Sequence, residues 1–316
     1  MKINLITPAN KQSKSGNRNT AVRWARLLRD LGHRVTIAES YNEKPFDGMI
    51  ALHAWRSADS IERFHELYPR RPLIVALTGT DIYRFQKSHP KICQRSMELA
   101  DRLVCLHDLV HQDIPKMFRS KLDVIHQFAP PLPGPRAPRK QTFDVCVIGH
   151  LRMEKDPLRA AYAARDLPAE SKIQVTHLGK AHDEPWAQKA RDEMDRSSRY
   201  IWRGEVSYAA VRTEYQKTQV MVMSSVMEGG ANVISEAAVA GVPIVASNIP
   251  GNIGLVGADH PGLYPVKNTK ALQNMLLRCE QDPAFLRGLT QRSKKLAKKF
   301  TEAKERDGWR RALSKL

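Results

Sequence analysis

Two kinds of apolar pattern alternate along the chain. Short, nearly continuous runs at Lys2 to Thr7, Arg34 to Ala38, Gly48 to His53, Leu73 to Leu77, Leu103 to Leu106 and Leu122 to Ile125 read as strands, the longest of them buried on both faces. Between them the spacing changes to that of a helix, as in Val22, Trp24, Ala25, Leu27, Leu28 and Leu31, which stops at Gly32. Ser57 stands where a second helix needs an N-cap. Repeated strand–helix units predict an α/β fold with a parallel sheet covered on both faces. Ligands then bind at the carboxyl ends of the strands, where the loops at Gly16, His53 to Ser57, Thr78 to Asp81 and His107 fall. Residues 130–138, with five prolines, read as a stiff linker. A second strand–helix series follows at Phe143 to Ile148, Ile173 to Leu178, Tyr200 to Trp202, Val220 to Ser224 and Pro243 to Ala246. The chain ends in helices, one opened by Asp282-Pro283. The expected division is a first Rossmann-like domain over 1–129, a linker over 130–141 and a second Rossmann-like domain over 142–295.

A length of 316 residues and 42% apolar content suit two ordinary cores. No run of eighteen apolar residues is present, and the first residues read as a strand rather than a signal peptide. Cys93, Cys105, Cys146 and Cys279 are scattered, which predicts buried thiols in a reducing cytoplasm. The net charge of +18 favours anionic partners without choosing among phosphates, nucleotide sugars, acidic membranes and nucleic acid. No G-x-G-x-x-G follows a strand and no G-x-x-x-x-G-K-S/T occurs, which argues against nicotinamide and P-loop chemistry. His107 and His111 have the spacing of a zinc helix but lack the glutamate base and a third ligand, so no metal site is expected.

The most informative stretch is Met227-Glu228-Gly229-Gly230-Ala231-Asn232-Val233-Ile234-Ser235-Glu236-Ala237, between the Val220 strand and an apolar helix ending at Gly241. Free N–H groups at the start of a helix suit phosphate oxygens, and Gly229 and Gly230 allow close approach. Glu236, about a turn into the helix, can accept from ribose hydroxyls, and Glu228 in the loop can reach a sugar beyond the phosphates. The competing assignment is a glutamate on an ordinary surface helix, which the apolar helix disfavours. A second signal, Gly149-His150-Leu151-Arg152-Met153-Glu154-Lys155-Asp156-Pro157, places two cations in one loop after a strand, suited to a diphosphate leaving group.

With these motifs the whole chain resembles a GT-B glycosyltransferase of family 4. The resemblance implies two Rossmann-like parallel-sheet domains facing a cleft, with a C-terminal helix, within residues 296–316, crossing back to the first domain. It implies a uridine diphosphate sugar held by the second domain, with Glu228 on the sugar, Glu236 on the ribose and Lys155 on the diphosphate. Arg152, Lys155 and Glu228 would be the catalytic set. Gly16, His150, Gly229, Gly230, Ala231 and Asn232 would complete the donor site. The family's arginine directly after the loop glycine is His150 here, with Arg152 two places on.

A narrower set of segments, PANxxSxSGNRNTAxRWAxLLRxLGH, LHAWRS, LTGTDIYR and MEGGANVISEA, resembles the selenosugar synthases of selenoneine biosynthesis. That resemblance implies transfer of a sugar from UDP-N-acetylglucosamine or UDP-glucose to selenophosphate, with a carbon–selenium bond formed. It implies no cofactor or metal, and a selenophosphate synthase and a selenoneine-forming enzyme as pathway partners. Its acceptor would lie among Asn17, Arg18, His53, Arg56, Thr78, Gly79, Thr80 and His107, since a multiply charged, strongly hydrated acceptor needs cations and donors. The alternatives are a family 4 enzyme with a hydroxyl acceptor, or a basic protein binding nucleic acid or a membrane surface. The lysines and arginines between 294 and 311 support peripheral membrane contact, whereas sparse aromatics there disfavour single-stranded nucleic acid.

Overall fold

The computed structural model describes residues 1–12 and 16–316. They form two compact units, residues 1–127 with 302–316, and residues 128–301.

The first unit holds β1 (Lys2–Ile6), β2 (Arg34–Ala38), β3 (Gly48–Leu52), β4 (Leu73–Leu77), β5 (Arg102–Cys105) and β6 (Leu122–Val124). All are parallel, in the order β2-β1-β3-β4-β5-β6. Every residue of β3 and β4 is buried, as central strands covered on both faces require, whereas the edge strand β2 exposes Arg34 and Thr36. Its helices are α1 (Gly16–Asp30), α2 (Ala58–Leu67), α3 (Gln86–Ser88), α4 (Pro90–Leu99) and α5 (Val110–Asp113). The second unit holds β7 (Phe143–Ile148), β8 (Ile173–Leu178), β9 (Tyr200–Trp202), β10 (Val220–Met223), β11 (Ile244–Ser247) and β12 (Leu263–Tyr264), parallel in the order β12-β11-β10-β7-β8-β9. Its helices are α6 (Arg159–Arg165), α7 (Glu184–Arg196), α8 (Tyr208–Lys217), α9 (Asn232–Val239), α10 (Pro250–Val256), α11 (Thr269–Gln281) and α12 (Pro283–Ala297). The chain closes with α13 (Glu302–Leu313), which belongs to the first unit.

Both sheets reverse direction beside their first strand. In the first, the reversal lies between β1 and β3; in the second, between β7 and β10. The loops leaving such a pair of strands splay apart, and the crevice between them is where open α/β sheets bind ligands.

Helix α13 is tied to α1 by a buried charge. Glu305 is 1% exposed and accepts from Trp24 Nε1 at 2.8 Å and Arg23 Nε at 3.1 Å. Trp309 packs edge-on against Trp24 at 4.7 Å, and Arg26 reaches Glu302 at 2.7 Å.

Four sequence expectations change. Gly16, Asn17 and Arg18 open α1 rather than lying in the loop before it; Ser15 lies outside the described residues. Ser57 precedes α2 but does not cap it, because its hydroxyl donates back to Leu52 O at 2.7 Å. Residues 130–141 belong to the second unit: Ala137 N donates to Gln216 O, and the half-buried Arg136 donates to the carbonyls of Tyr215, Thr218 and Gly241. Residues 296–301 also stay with the second unit, where Leu296 and Phe300 are buried beside α9, so the return to the first unit starts at Glu302. Asp282 caps α12 through Phe285 N at 2.9 Å, and all four cysteines are buried thiols. Among the described residues no helix is long and apolar enough to cross a membrane.

Candidate functional site

In the second unit, the loops after β7 and β10 meet at the sheet's reversal point. The β7 loop passes Gly149 and His150, then forms a short 3-10 turn over Met153–Lys155. Asp156 ends that turn in the left-handed region at φ 42, held by Arg159 Nε on its carboxylate at 2.8 Å. The β10 loop comes alongside: Val226 N donates to Glu154 O at 2.9 Å, and the Ser224 hydroxyl lies 3.1 and 2.9 Å from the carbonyls of Lys155 and Asp156. These backbone ties bring together two side chains 73 positions apart. Lys155 Nζ donates to Glu228 Oε1 at 2.6 Å, with the side chains 19% and 9% exposed. Ser225 Oγ donates to the same oxygen at 2.5 Å.

The geometry around Glu228 depends on glycine. A Cβ on Gly251, in the first turn of α10, would sit 2.0 Å from the Glu228 carbonyl oxygen, so only glycine lets α10 press against this loop. The segment 250–254 is thus part of a helix supporting the site. Gly230 takes φ 144 just before α9 starts at Asn232. Glu236 lies one turn into α9, half-buried, and accepts from Tyr215 OH at 3.3 Å. Burial and the Glu236 charge raise the Tyr215 hydroxyl's pKa well above its usual value, so it stays a donor.

The pair expected at the β7 loop separates. Lys155 faces Glu228, but the guanidinium of the exposed Arg152 has no hydrogen bond or ion pair to the described residues. His150 Nδ1 accepts from Lys180 N at 3.2 Å; burial, then the Arg152 and Lys155 charges, lower its pKa and favour the neutral ring. A further histidine escaped the sequence reading. His177 is fully buried in β8, with one ring nitrogen 2.9 Å from Gly149 O and the other 3.0 Å from Tyr200 OH, and burial drops its pKa to about 4. A neutral ring donating to Gly149 O fixes the mouth of the β7 loop.

In the first unit the loops after β3 and β4 form a second polar cluster. His53 is a buried non-glycine residue at φ 78, a conformation that costs of order 1–3 kcal/mol and persists only where surroundings impose it. Its Nδ1 accepts from Arg56 N at 3.1 Å, so Nε2 carries the proton and donates to Thr80 Oγ1 at 2.8 Å. The buried Asp81 carboxylate accepts from the N–H groups of Ala54, Thr78, Gly79 and Ile82, which fixes both loops. Beside this cluster Trp55 stacks on Phe85 at 3.9 Å and 6°, with His89 at 5.0 Å and the Arg56 and Arg84 guanidiniums 6.0 and 5.5 Å from the Phe85 ring centre. No sequence spacing announced this aromatic platform. His107 is buried and tied to Tyr83 OH at 3.0 Å, and burial lowers its pKa to about 4. Gly16, Asn17 and Arg18 lie in the first turn of α1, Gly16 exposed. Among the described residues no group of three or more His, Cys, Asp or Glu side chains is placed to hold a metal ion.

Solved structures share this fold. HepE of Anabaena, in complex with UDP and glucose, is 16% identical over 100% of both chains with a TM-score of 0.80. The sucrose-phosphate synthase of Thermosynechococcus elongatus is 13% identical over 99% of this chain and 98% of that one, also at 0.80. A glycosyltransferase from Rickettsia africae gives 13%, 99%, 98% and 0.75. At such identities the likeness establishes the fold, which is that of the GT-B enzymes. The family described as glycosyl transferases group 1 matches residues 133–304, more than half of the chain and the whole of the β7 and β10 loops. The chain belongs to the glycosyl transferases group 1 family.

Proposed function

We propose that this glycosyltransferase takes a uridine diphosphate sugar, UDP-N-acetylglucosamine or UDP-glucose, in its second unit and transfers the sugar to selenophosphate. The observation that carries the donor half is the Lys155–Glu228 pair at the reversal point of the sheet, beside the glycine-bounded start of α9 and with Glu236 one turn in. A cation for the diphosphate, N–H groups for its oxygens and two carboxylates for sugar and ribose hydroxyls are the donor's requirements. HepE, with the same fold, was solved with UDP-glucose.

In the reaction the bond from C1 of the sugar to the diphosphate oxygen breaks, the diphosphate keeps the electron pair, and selenium supplies the pair for the new C1–Se bond; water then takes the phosphoryl group from selenium, so that the Se–P bond breaks and the selenosugar, phosphate and UDP are the products. Charge grows on the leaving oxygen, which Lys155 and the exposed Arg152 stabilise without a metal. Selenophosphate is already anionic, so the enzyme need not supply a strong base for attack. It must instead bring like charges together, which Arg56, Arg18 and the donors near Thr80 serve in the first unit. The acceptor assignment rests on the four segments shared with selenosugar synthases and on this charge argument. It places the enzyme in the cytoplasm, between a selenophosphate synthase and a selenoneine-forming enzyme, with no nucleic acid partner.

One observation favours a second reading. The Trp55–Phe85 stack is a surface on which an apolar sugar face packs, and a hydroxyl-bearing acceptor would use it. Product mass spectrometry decides. Wild type with either UDP-sugar and selenophosphate should yield a selenosugar, and Arg56→Glu or Arg18→Glu should abolish it while leaving UDP affinity within about threefold. Selenophosphate left unconsumed by an enzyme that glycosylates a hydroxyl acceptor returns the chain to the second reading.

A further inference from the structure

The hydrogen bonds behind Glu228 all run one way. Asn252 in α10 donates Nδ2 to both the carbonyl and the hydroxyl oxygen of Ser247, at 3.0 Å each. Ser247, the last residue of β11, donates its hydroxyl to Ser225 O at 2.6 Å. Ser225 donates its own hydroxyl to Glu228 Oε1 at 2.5 Å. That hydroxyl also lies 3.1 Å from Met223 Sδ, a far weaker acceptor than a carboxylate. Asn252, Ser247 and Ser225 are each 0% exposed, so none of them can touch a substrate. At the other end, Oε1 of Glu228 takes both Ser225 and Lys155, while Oε2 has no hydrogen bond to the described residues and is not among the sealed, unpartnered atoms. The carboxylate is therefore anchored by one oxygen and open at the other.

We propose that Ser225, backed by Ser247 and Asn252, is the positioning residue that turns Glu228 Oε2 outward to accept hydrogen bonds from the donor's sugar hydroxyls. This rests on the UDP-sugar reading above. Ser225 holds Oε1 whether Lys155 stays on Glu228 or turns to a diphosphate, so the carboxylate keeps its orientation when the donor arrives. A carboxylate held only by a flexible lysine would follow that lysine. The buried tier thus governs recognition of the sugar, and leaves the contacts to uridine and phosphate untouched.

The test compares wild type, Ser225→Ala and Ser225→Cys by calorimetry with UDP and with UDP-glucose, and by transfer kinetics. Ser225→Ala should hold UDP within about twofold, bind UDP-glucose about tenfold more weakly and lose about tenfold in kcat, the size expected for one hydrogen bond to a charged group. Ser225→Cys fills the same volume with a weak donor. It should recover the melting temperature but not the lost preference for the sugar nucleotide. Variants that keep the wild-type ratio of UDP-glucose to UDP affinity overturn the proposal, as does a cysteine variant that recovers ratio and melting temperature together, since packing alone would then explain the effect. A wild type that binds neither nucleotide removes the donor reading and this inference with it, an outcome distinct from variants that bind like wild type.

Discussion

Replacing Glu228 with glutamine should tighten UDP binding while slowing transfer, because Lys155 cannot serve a carboxylate and a diphosphate fully at once. The two side chains meet at 2.6 Å and are 19% and 9% exposed, so the pair is screened far less than a surface ion pair. A hydrogen bond to a charged group contributes roughly 1.5–3 kcal/mol net and a neutral one roughly 0.5–1.5 kcal/mol. Glutamine keeps one acceptor oxygen, so the variant relieves the difference, about 1–1.5 kcal/mol, in the ligand-free protein. UDP, which has no sugar for Glu228 to hold, should then bind about five- to tenfold more tightly. Its affinity should also fall more steeply with salt, since the whole Lys155 charge becomes available to the diphosphate. Transfer should drop by at least about tenfold, because the oxygen facing the sugar is no longer reliably an acceptor. Calorimetry of UDP at low and high ionic strength, beside single-turnover transfer, reads all three effects. A Glu228→Gln protein that binds UDP more weakly than wild type would refute the competition for Lys155.

Three further outcomes follow from other parts of the molecule. Glu236→Ala should weaken UDP binding about tenfold or more with little change in melting temperature, since the half-buried carboxylate serves the ligand more than the fold; unchanged calorimetric affinity would remove it from the donor site. Glu305→Ala strips two hydrogen bonds from the α1–α13 contact and leaves Trp24 Nε1 buried and unpaired, so urea unfolding should show a loss of about 2–4 kcal/mol in the first unit, and a loss under about 0.5 kcal/mol would contradict this. His107 titrates near 4 in the folded protein because of burial and near 6.5 when unfolded, so the unfolded chain binds its proton first as pH falls. Stability attributable to it is complete well above about pH 6.5 and should decline by about 2.5 kcal/mol down to about pH 4.5, and His107→Gln should flatten the urea-midpoint profile by that amount.

The strands were legible in the sequence because parallel strands covered on both faces must be apolar throughout: Leu73–Leu77 and Val220–Met223 are buried at every position. Strand order was not legible, because the register of β10 against β7 is set by packing between residues about 75 positions apart, which no local period encodes. The same limit divides the candidate site. Glu228, Gly230 and Glu236 fall within one strand-to-helix turn, so their spacing is itself a signal. Lys155 lies in another such turn, and the fold joins the two loops at the 2.6 Å contact. Arg152 reads from the sequence as Lys155's equal, but a left-handed Asp156 and the backbone tie to Val226 aim only Lys155 inward. Ser57 looks like a cap, yet its hydroxyl turns back to Leu52, since capping depends on rotamer as well as on position.

What the sequence hides most completely is the support beneath the charged groups. Ser225 follows a buried strand and Ser247 ends one, where a polar residue ordinarily marks a loop, so nothing local separates a hydroxyl facing water from one turned into the support of Glu228. His53 is equally silent: its positive φ is imposed by Asp81, which gathers four N–H groups from two loops. In both units two polar groups, Glu228 Oε2 and the Thr80 hydroxyl, owe their direction to a buried neighbour that fixes which proton or lone pair is already taken. Thr80 accepts from His53 Nε2, so its own proton is directed elsewhere, as Ser225 and Lys155 direct the free oxygen of Glu228. A mutation in the buried partner should therefore alter recognition without touching ligand, and that class of effect is invisible to motif spacing because it depends on the direction of hydrogen bonds rather than on the identity of the residues that face the substrate.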